Sequence, residues 1–135
     1  MAVELVVAAW GFALLLLLVS AGGQWLNLTG DVGSAARDAA RQASIARDYD
    51  QAQTNAELAA RLDLGGTCTG GYHVHVQLYQ GGVPVGNGDF PTAQDLEVTL
   101  RCTASLSAFR YVGFQSTQTF GDTAAAPLDP FVDRG

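Results

Sequence analysis

Two cysteines and two histidines are the side chains of this sequence whose types and spacing best suit bond-forming or metal-binding chemistry. The cysteines are Cys68 and Cys102, and the histidines are His73 and His75. An even cysteine count in a small domain outside the reducing cytoplasm indicates a disulfide, and closing a loop of about 35 residues would contribute roughly 3–4 kcal/mol. A zinc site built from Cys68 and both histidines is the competing chemistry, but its spacing fits no standard zinc pattern. We predict a Cys68–Cys102 disulfide, no metal site, and two histidines on the polar face of a strand.

No catalytic motif accompanies these residues. The sequence contains no G-x-S-x-G nucleophile elbow, no phosphate-binding glycine loop and no H-E-x-x-H zinc motif. Its 13 carboxylates include no pair whose spacing would single it out for acid–base catalysis. We therefore expect no catalytic residue and no cofactor, in a protein that is not an enzyme.

The charge balance argues against nucleic acid as a partner. The formal net charge is -6 at pH 7, and all 7 basic residues are arginines. Binding to a nucleic-acid backbone requires clustered lysines and arginines. Electrostatic binding to an anionic membrane surface requires them as well, so we expect neither.

The first predicted structural element is an apolar segment at the N-terminus. Residues 5–30 contain no Asp, Glu, Lys or Arg, and residues 5–19 read LVVAAWGFALLLLLV. As a helix, the charge-free stretch would be about 39 Å long, enough to cross a bilayer core of about 30 Å. A cleaved signal peptide is the rival interpretation, but such peptides begin with basic residues, which this segment does not. We predict a membrane-length helix over residues 1–30.

Glu4 stands at the start of this apolar segment and allows two interpretations. It is solvated at the lipid interface, where the N-terminus of a helix favours a carboxylate. Alternatively, it pairs with the α-amino group of a neighbouring subunit, because an acid buried without a partner is costly.

The first basic residue of the chain is Arg37. Since basic residues near a span normally set its orientation, we expect that a basic leader has been removed.

Residues 31–65 are predicted to continue the helix with an amphipathic character. The glycines Gly22, Gly23, Gly30 and Gly33 are weak points, each costing about 1 kcal/mol relative to alanine. If the helix restarts after them, Asp31 or Ser34 would cap it. Leu58 and Leu62 are expected to extend an apolar face, and the helix is expected to end at residues 64–66. Alanines recur at spacings of three and four, which indicates either close helix packing or simple helix propensity: Ala36, Ala39, Ala40, Ala43 and Ala46.

Residues 66–135 are predicted to form a small β-domain. Apolar and polar side chains alternate along residues 72–79 and again along residues 96–104, the pattern of half-buried strands. The Gly81-Gly82 and Asn87-Gly88 pairs mark turns. The sheet must bury its apolar face, and the amphipathic helix is the available partner. The predicted fold class is therefore α+β, with a long N-terminal α-helix packed on a small antiparallel β-sheet.

Three further segments complete the predicted β-domain. Residues 83–86 are expected to form a short edge strand, because Pro84 lacks an N–H group and is tolerated only at an edge. Another strand is expected within residues 115–124. The tail from Pro127 is expected to be irregular.

Several short motifs spread over the whole chain resemble one known family. They are Ala2-Val3-Glu4-Leu5 before the apolar run, SAARDAARQASIAR over residues 34–47, the Cys68…Cys102 pair, and AAPLD over residues 125–129. Together they resemble the TadE-like branch of the type IV pilins, particularly its actinobacterial members. The resemblance implies a pilin-like fold and a helical filament of identical subunits at the cell surface. It also implies a membrane-inserted precursor, cleaved by a prepilin peptidase and handled by a pilus assembly machinery.

By this resemblance, Glu4 matches the early glutamate that neutralises a subunit amino terminus during assembly. That glutamate is usually the fifth residue of a mature type IV pilin, and here it is the fourth. The residues expected to carry assembly are Met1, Glu4, Trp10, Phe12, Leu14 and Leu17. The alternative function is that of a membrane-anchored minor pilin or an extracytoplasmic accessory or binding domain.

Overall fold

A computed structural model describes residues 1–106 and 117–132 of the chain. Two helices come first, four strands follow, and a short 3-10 helix separates the second strand from the third. The elements are α1 (Ala2–Ser44), α2 (Tyr49–Leu64), β1 (Tyr72–Gln80), β2 (Val83–Val85), the 3-10 helix (Asn87–Thr92), β3 (Asp95–Ser105) and β4 (Thr117–Pro127). The α+β class is confirmed, with the long N-terminal helix packed on a small antiparallel sheet.

α1 is one uninterrupted helix of 43 residues, about 64 Å long at about 1.5 Å per residue. It passes through the glycine pair at 22–23 and through Gly30 and Gly33 without a break. Asp31 and Ser34 are therefore interior residues of α1 rather than caps. Each glycine lowers the helix propensity by about 1 kcal/mol, but propensity is a weak prior that tertiary packing overrides.

The helix breaks further on, at residues 45–48. The prediction of a continuous helix over residues 31–65 is therefore wrong. Asp48 is the residue that starts the second helix. Its side chain accepts a hydrogen bond of 2.8 Å from the Gln51 N–H, the interaction that a helix N-cap provides. α1 and α2 are therefore separate helices joined by a short connection.

α2 folds back along the second half of α1, so the two helices form an antiparallel hairpin. The Asn55 side-chain amide donates to the Gln42 carbonyl at 3.1 Å across the hairpin. The alanine stripe of α1 is completely buried, which confirms close helix packing as its role. The buried alanines of α2 are Ala52, Ala56, Ala59 and Ala60.

The sheet explains why two helices are needed. Four strands spaced about 4.8 Å apart are too wide for one helix, whose diameter with side chains is about 10 Å. A straight helix over residues 31–65 would also be about 52 Å long, whereas the 11 residues of β3 extend only about 36 Å. Folding the helix back places α1 over β3 and β4, and α2 over β1.

The strand order is β2-β1-β3-β4, and every neighbouring pair is antiparallel. The predicted alternation along β1 and β3 is confirmed. One face of the sheet is turned to the helices and buries Val76, Leu78, Leu96, Val98 and Leu100. The opposite face carries the polar residues of the same strands.

The outer strands agree with their predictions where the structure describes them. β2 is a three-residue edge strand with Pro84 opposite Tyr79. β4 begins at Thr117 and ends at Pro127, so part of the predicted strand over residues 115–124, namely residues 115–116, lies outside the described residues. Residues 128–132 are irregular, as expected for the tail, but Pro127 still belongs to β4. Residues 133–135 of the predicted tail lie outside the described residues.

The disulfide between Cys68 and Cys102 is confirmed, with a Cα–Cα distance of 5.3 Å. Cys68 follows the end of α2, and Cys102 lies on the buried face of β3. The bond therefore ties the helical hairpin to the middle of the sheet. Both sulfurs join the core cluster formed by Leu64, Leu100 and Phe120.

Candidate functional site

The N-terminal half of α1 presents an apolar surface that the rest of the described chain does not cover. Every residue from 1 to 16 is exposed, so the helix projects about 24 Å beyond the domain. Trp10 is 69% exposed and Phe12 is 62% exposed. By length and composition, α1 is apolar enough to cross a membrane. An apolar surface of this extent marks a membrane or protein contact.

The predicted assembly residues occupy more than one face of this helix. Trp10, Leu14 and Leu17 follow spacings of four and three and therefore share a face, whereas Phe12 lies nearly opposite Trp10. Leu17 is the first half-buried residue of the helix. The same face continues towards the domain through Ala21 and Val32, which are buried, and Leu28, which is half-buried.

Met1 and Glu4 lie at the free end of the helix. Met1 is the N-cap residue and makes no side-chain capping bond, and Glu4 is the acidic residue of the first helical turn. Both are exposed. A carboxylate in the first turn is favourable because the backbone N–H groups there carry partial positive charge. The Glu4 carboxylate is also accessible to a cation from another molecule.

The second half of α1 lies against β4 at two places. The Trp25 ring meets the Phe120 ring edge-on, with 4.8 Å between ring centroids. Two helical turns further, α1 approaches β4 so closely that a Cβ on Gly33 would lie 2.7 Å from an oxygen of the Asp122 carboxylate. A glycine at this position allows the close approach.

The structure separates the residues of the alternative zinc site. Cys68 is bonded to Cys102, so its sulfur is not a free thiolate ligand. His73 and His75 are exposed on the outer face of β1, opposite Arg101 and Thr99 of β3. Among residues 1–106 and 117–132, no group of three or more His, Cys, Asp or Glu side chains could hold a metal ion.

The outer surface of the helical hairpin carries features that the sequence did not predict. Leu58 is 53% exposed and Leu62 is 77% exposed, which corrects their assignment to the buried face. The alanine spacing of α2 was the available signal, because helical geometry places residues 58 and 62 to one side of the stripe formed by residues 52, 56 and 59. The two leucines line a groove of about 420 Å³ between α1 and α2.

Two carboxyl groups face each other in the same groove, Asp38 from α1 and Asp63 from α2. Burial raises the pKa of Asp63, and the neighbouring Asp38 carboxyl raises it further through a hydrogen bond and through charge repulsion. Arg41 also lines the groove. The hairpin surface is thus apolar at Leu58 and Leu62, with two acids and one arginine beside them.

Taken together, the candidate site is an exposed apolar helix that is anchored to a disulfide-bonded α+β domain and carries one acid near its free end. Such a surface can insert in lipid or pack against other apolar helices. The chain matches no protein-family model, no curated protein and no solved structure.

Proposed function

We propose that this chain is a structural subunit of an extracellular filament of the TadE-like, type IV pilin kind, assembled through the apolar half of α1. The observation that carries the proposal is the exposure of this half, from Val3 to Val19, on a helix whose second half is packed on a folded domain. In water, such a surface would drive aggregation. Lipid must therefore cover this surface before assembly, and neighbouring helices must cover it in the filament.

The free energy of moving the apolar helices from lipid into a filament comes mainly from specific packing and not from the hydrophobic effect. Burying a large apolar side chain from water gains about 1.5–3 kcal/mol. Transfer from lipid into a bundle of helices gains little from this effect, so packing and polar contacts must select the arrangement. Glu4 is the group able to make a polar contact at the apolar end. We propose that its carboxylate pairs with the amino terminus of a neighbouring subunit.

The disulfide supports a location outside the cytoplasm, because disulfides persist in oxidising compartments. In the proposed filament, the helices form the core and the polar face of the sheet is turned outward. That face carries His73, His75 and Arg101 in adjacent register positions, together with several threonines. These side chains are compatible with a solvated outer surface.

A second function is favoured by the same apolar helix. A helix that is long and apolar enough to span a bilayer also serves as a simple anchor for an extracytoplasmic accessory protein or minor pilin. The two functions differ in stoichiometry. A major subunit is abundant in filaments, whereas an anchored accessory protein stays with the membrane.

Electron microscopy and mass spectrometry of the sheared extracellular fraction from producing cells test the proposal. We expect filaments in which this chain is the dominant protein. The chain recovered only from membranes, or as a trace in filaments of another protein, would instead support the anchored accessory function.

Substitution of Glu4 tests the pairing of charges. Glu4→Ala is expected to abolish filaments while the chain still inserts in the membrane. Asp31→Ala, which removes an acid from the same helix beyond the apolar half, is the matched control and should leave filaments in place. Normal filaments from the Glu4→Ala variant would show that the pairing is not needed.

A further inference from the structure

The free half of α1 is shorter than the hydrocarbon core of a bilayer is thick. Glu4 is the acid near its free end, and Leu17 is the first residue along the helix that is half-buried. These two residues are 13 positions apart, which corresponds to about 20 Å along a helix. A charged side chain is costly inside a hydrocarbon core of about 30 Å, so Glu4 belongs at one boundary of that core.

A helix that spans the core must therefore continue past Leu17. The remaining 10 Å or so corresponds to about seven more residues, which brings the second boundary to about residue 24. A tilt of the helix would require further residues and would move this boundary closer to the domain. Ala21 is only 4% exposed, so the domain already lies against α1 at this level. A membrane that surrounds the apolar helix must therefore meet the folded domain.

The side of α1 that is turned away from the domain is still apolar at the same level. Leu18 is 70% exposed and Leu26 is 72% exposed. The first charged side chain after Glu4 is that of Asp31. The exposed apolar surface thus runs alongside the end of the domain and does not stop where the domain begins.

Trp25 lies at this level and has the type of side chain that membrane boundaries favour. An indole combines an apolar ring with one N–H donor, and tryptophans are enriched where hydrocarbon meets the headgroups. Trp25 is 44% exposed, and its ring also meets the Phe120 ring of β4. The same residue is thus accessible to lipid and in contact with the end of the sheet.

The end of the sheet limits how deeply the domain can enter the membrane. Trp25 lies beside Phe120 near the start of β4. Gly33 lies beside Asp122, further along both elements, so α1 and β4 run in the same direction. The residues of β4 before Phe120 are therefore on the side of the apolar half of α1. Their side chains are polar and suit the headgroup layer rather than hydrocarbon, namely Thr117, Gln118 and Thr119.

We propose that Trp25 and the end of the sheet beside it lie in the headgroup layer of the membrane before assembly. Acyl chains then cover α1 from Leu5 to about residue 24, and headgroups surround Trp25 and the first residues of β4. This contact rests on the membrane-inserted stage of the function proposed above. It adds that the folded domain itself contacts the lipid surface.

The contact depends on apolar and amphipathic side chains and not on attraction to anionic lipid. The chain has a net charge of -6 and no lysine, whereas binding to anionic headgroups uses clustered basic residues. Zwitterionic headgroups are therefore sufficient. Because the helix length and the polar strand end limit the depth from two directions, copies in one membrane hold their domains at the same height.

Tryptophan fluorescence of the full chain in vesicles tests this placement. The sequence contains two tryptophans, so Trp10→Phe leaves Trp25 as the reporter and Trp25→Tyr leaves Trp10. Each variant is reconstituted in phosphatidylcholine vesicles whose acyl chains carry bromine, a contact quencher, either near the headgroup or near the methyl end. With Glu4 at one boundary, Trp10 lies about 6 Å and Trp25 about 16 Å from the midplane. We expect shallow bromines to quench Trp25 most strongly and deep bromines to quench Trp10 most strongly.

A matched pair of reporters locates the end of the sheet. In the variant Trp10→Phe/Trp25→Tyr, a single tryptophan is introduced by either Thr117→Trp or His75→Trp. Both positions are exposed on the outer face of the sheet. His75 is level with Thr123, six residues further along β4 than Thr117, a distance of about 20 Å. We expect shallow bromines to quench the Thr117→Trp reporter and to leave the His75→Trp reporter unquenched.

Several results would overturn this placement. Trp25 or the Thr117→Trp reporter without quenching would show that the domain stands clear of the membrane. Strong quenching of the His75→Trp reporter would show that the domain lies with its sheet face on the membrane. Strongest quenching of Trp25 by deep bromines would place the end of the sheet in hydrocarbon.

The outcome is separable from that for the proposed function. Quenching of Trp10 by deep bromines without quenching of Trp25 would overturn this contact and leave the membrane-inserted stage in place. An unquenched Trp10 would contradict both the inserted stage and this contact. Filaments in the sheared fraction are scored independently, so their absence beside a quenched Trp25 would contradict the filament function alone.

Discussion

The Gln53 side chain of α2 accepts a hydrogen bond of 3.2 Å from the main-chain N–H of Val76 in β1. Its amide nitrogen donates to the Val74 carbonyl at 2.9 Å. The Tyr49 hydroxyl donates to the Val76 carbonyl at 3.0 Å. Burial, with a smaller contribution from the charge of Asp50, raises the pKa of Tyr49 and keeps its phenol a donor.

These side chains protect one edge of the sheet. β2 pairs with β1 only along residues 78–80, so the main chain at Val74 and Val76 would otherwise present unpaired donors and acceptors. Such an edge invites pairing with other chains. α2 therefore both covers the sheet face and closes the exposed part of its edge.

Gln53→Ala is expected to lower the free energy of unfolding by about 1–3 kcal/mol, the cost of leaving polar groups without partners. Chemical denaturation of the full chain in detergent measures this change, and hydrogen exchange should show faster exchange of the Val76 amide. Thr54→Ala is the matched control, because the Thr54 hydroxyl bonds only within α2, to the Asp50 carbonyl. Equal exchange rates in the wild type and in Gln53→Ala would contradict the role of Gln53.

Loss of the disulfide should lower the free energy of unfolding by more than the Gln53→Ala substitution does. Cys68 and Cys102 are 34 residues apart, and opening a loop of this size costs about 4 kcal/mol in the chain-entropy model. The variant Cys68→Ala/Cys102→Ala should therefore unfold at a much lower denaturant concentration. Reductant should shift the wild-type midpoint in the same direction and leave that of the double variant unchanged.

The sheet was predictable because its signals are local. Alternation along β1 and β3 identifies the buried face residue by residue, and Pro84 identifies an edge by the hydrogen bond it cannot donate. The disulfide prediction followed from an even number of cysteines in a small domain that was expected to lie outside the cytoplasm. Each of these inferences depends on a few neighbouring residues.

The helical hairpin was not predictable by the same means. The glycines of α1 are the strongest helix-weakening residues, yet the break comes at Asp48, where the sequence offers only a cap. The reason lies in the width of the sheet, which a local pattern does not contain. The exposure of Leu58 and Leu62 was missed together with the hairpin, because the alanine stripe of α2, and not these leucines, packs against the rest of the fold.

The Asp38–Asp63 pair makes a prediction about pH. Because the folded chain raises the pKa of Asp63, it binds a proton more tightly than the unfolded chain. This contribution to stability is therefore present in acid and is lost as the pH rises through the raised pKa.

Asp63→Asn should remove this pH dependence and stabilise the folded chain slightly at neutral pH, by about 0.5 kcal/mol, the size of a surface effect. Denaturation of the wild type and variant across the acid range measures the difference. Asp95→Asn, at the start of β3, controls for the general loss of one negative charge. A stability difference that stays constant with pH would contradict the prediction.

Gly30 and Gly33 form a matched pair for testing how α1 lies against β4. Both are interior residues of the same helix. A Cβ on Gly30 would meet nothing within 4 Å, whereas a Cβ on Gly33 would lie 2.7 Å from the Asp122 carboxylate. That carboxylate is held in turn by the main-chain N–H of Thr123, at 2.8 Å.

Gly30→Ala should stabilise the full chain by about 1 kcal/mol, because alanine is the better helix former and has room. Gly33→Ala should give a smaller gain or a loss, since the Asp122 side chain must move and give up its bond to Thr123. Adding Asp122→Ala to Gly33→Ala should recover the helix-propensity gain, whereas Asp122→Ala alone should not stabilise the chain. Thermal unfolding followed by circular dichroism measures all four variants. Equal gains from Gly30→Ala and Gly33→Ala would mean that α1 does not approach β4 at Asp122 as closely as described.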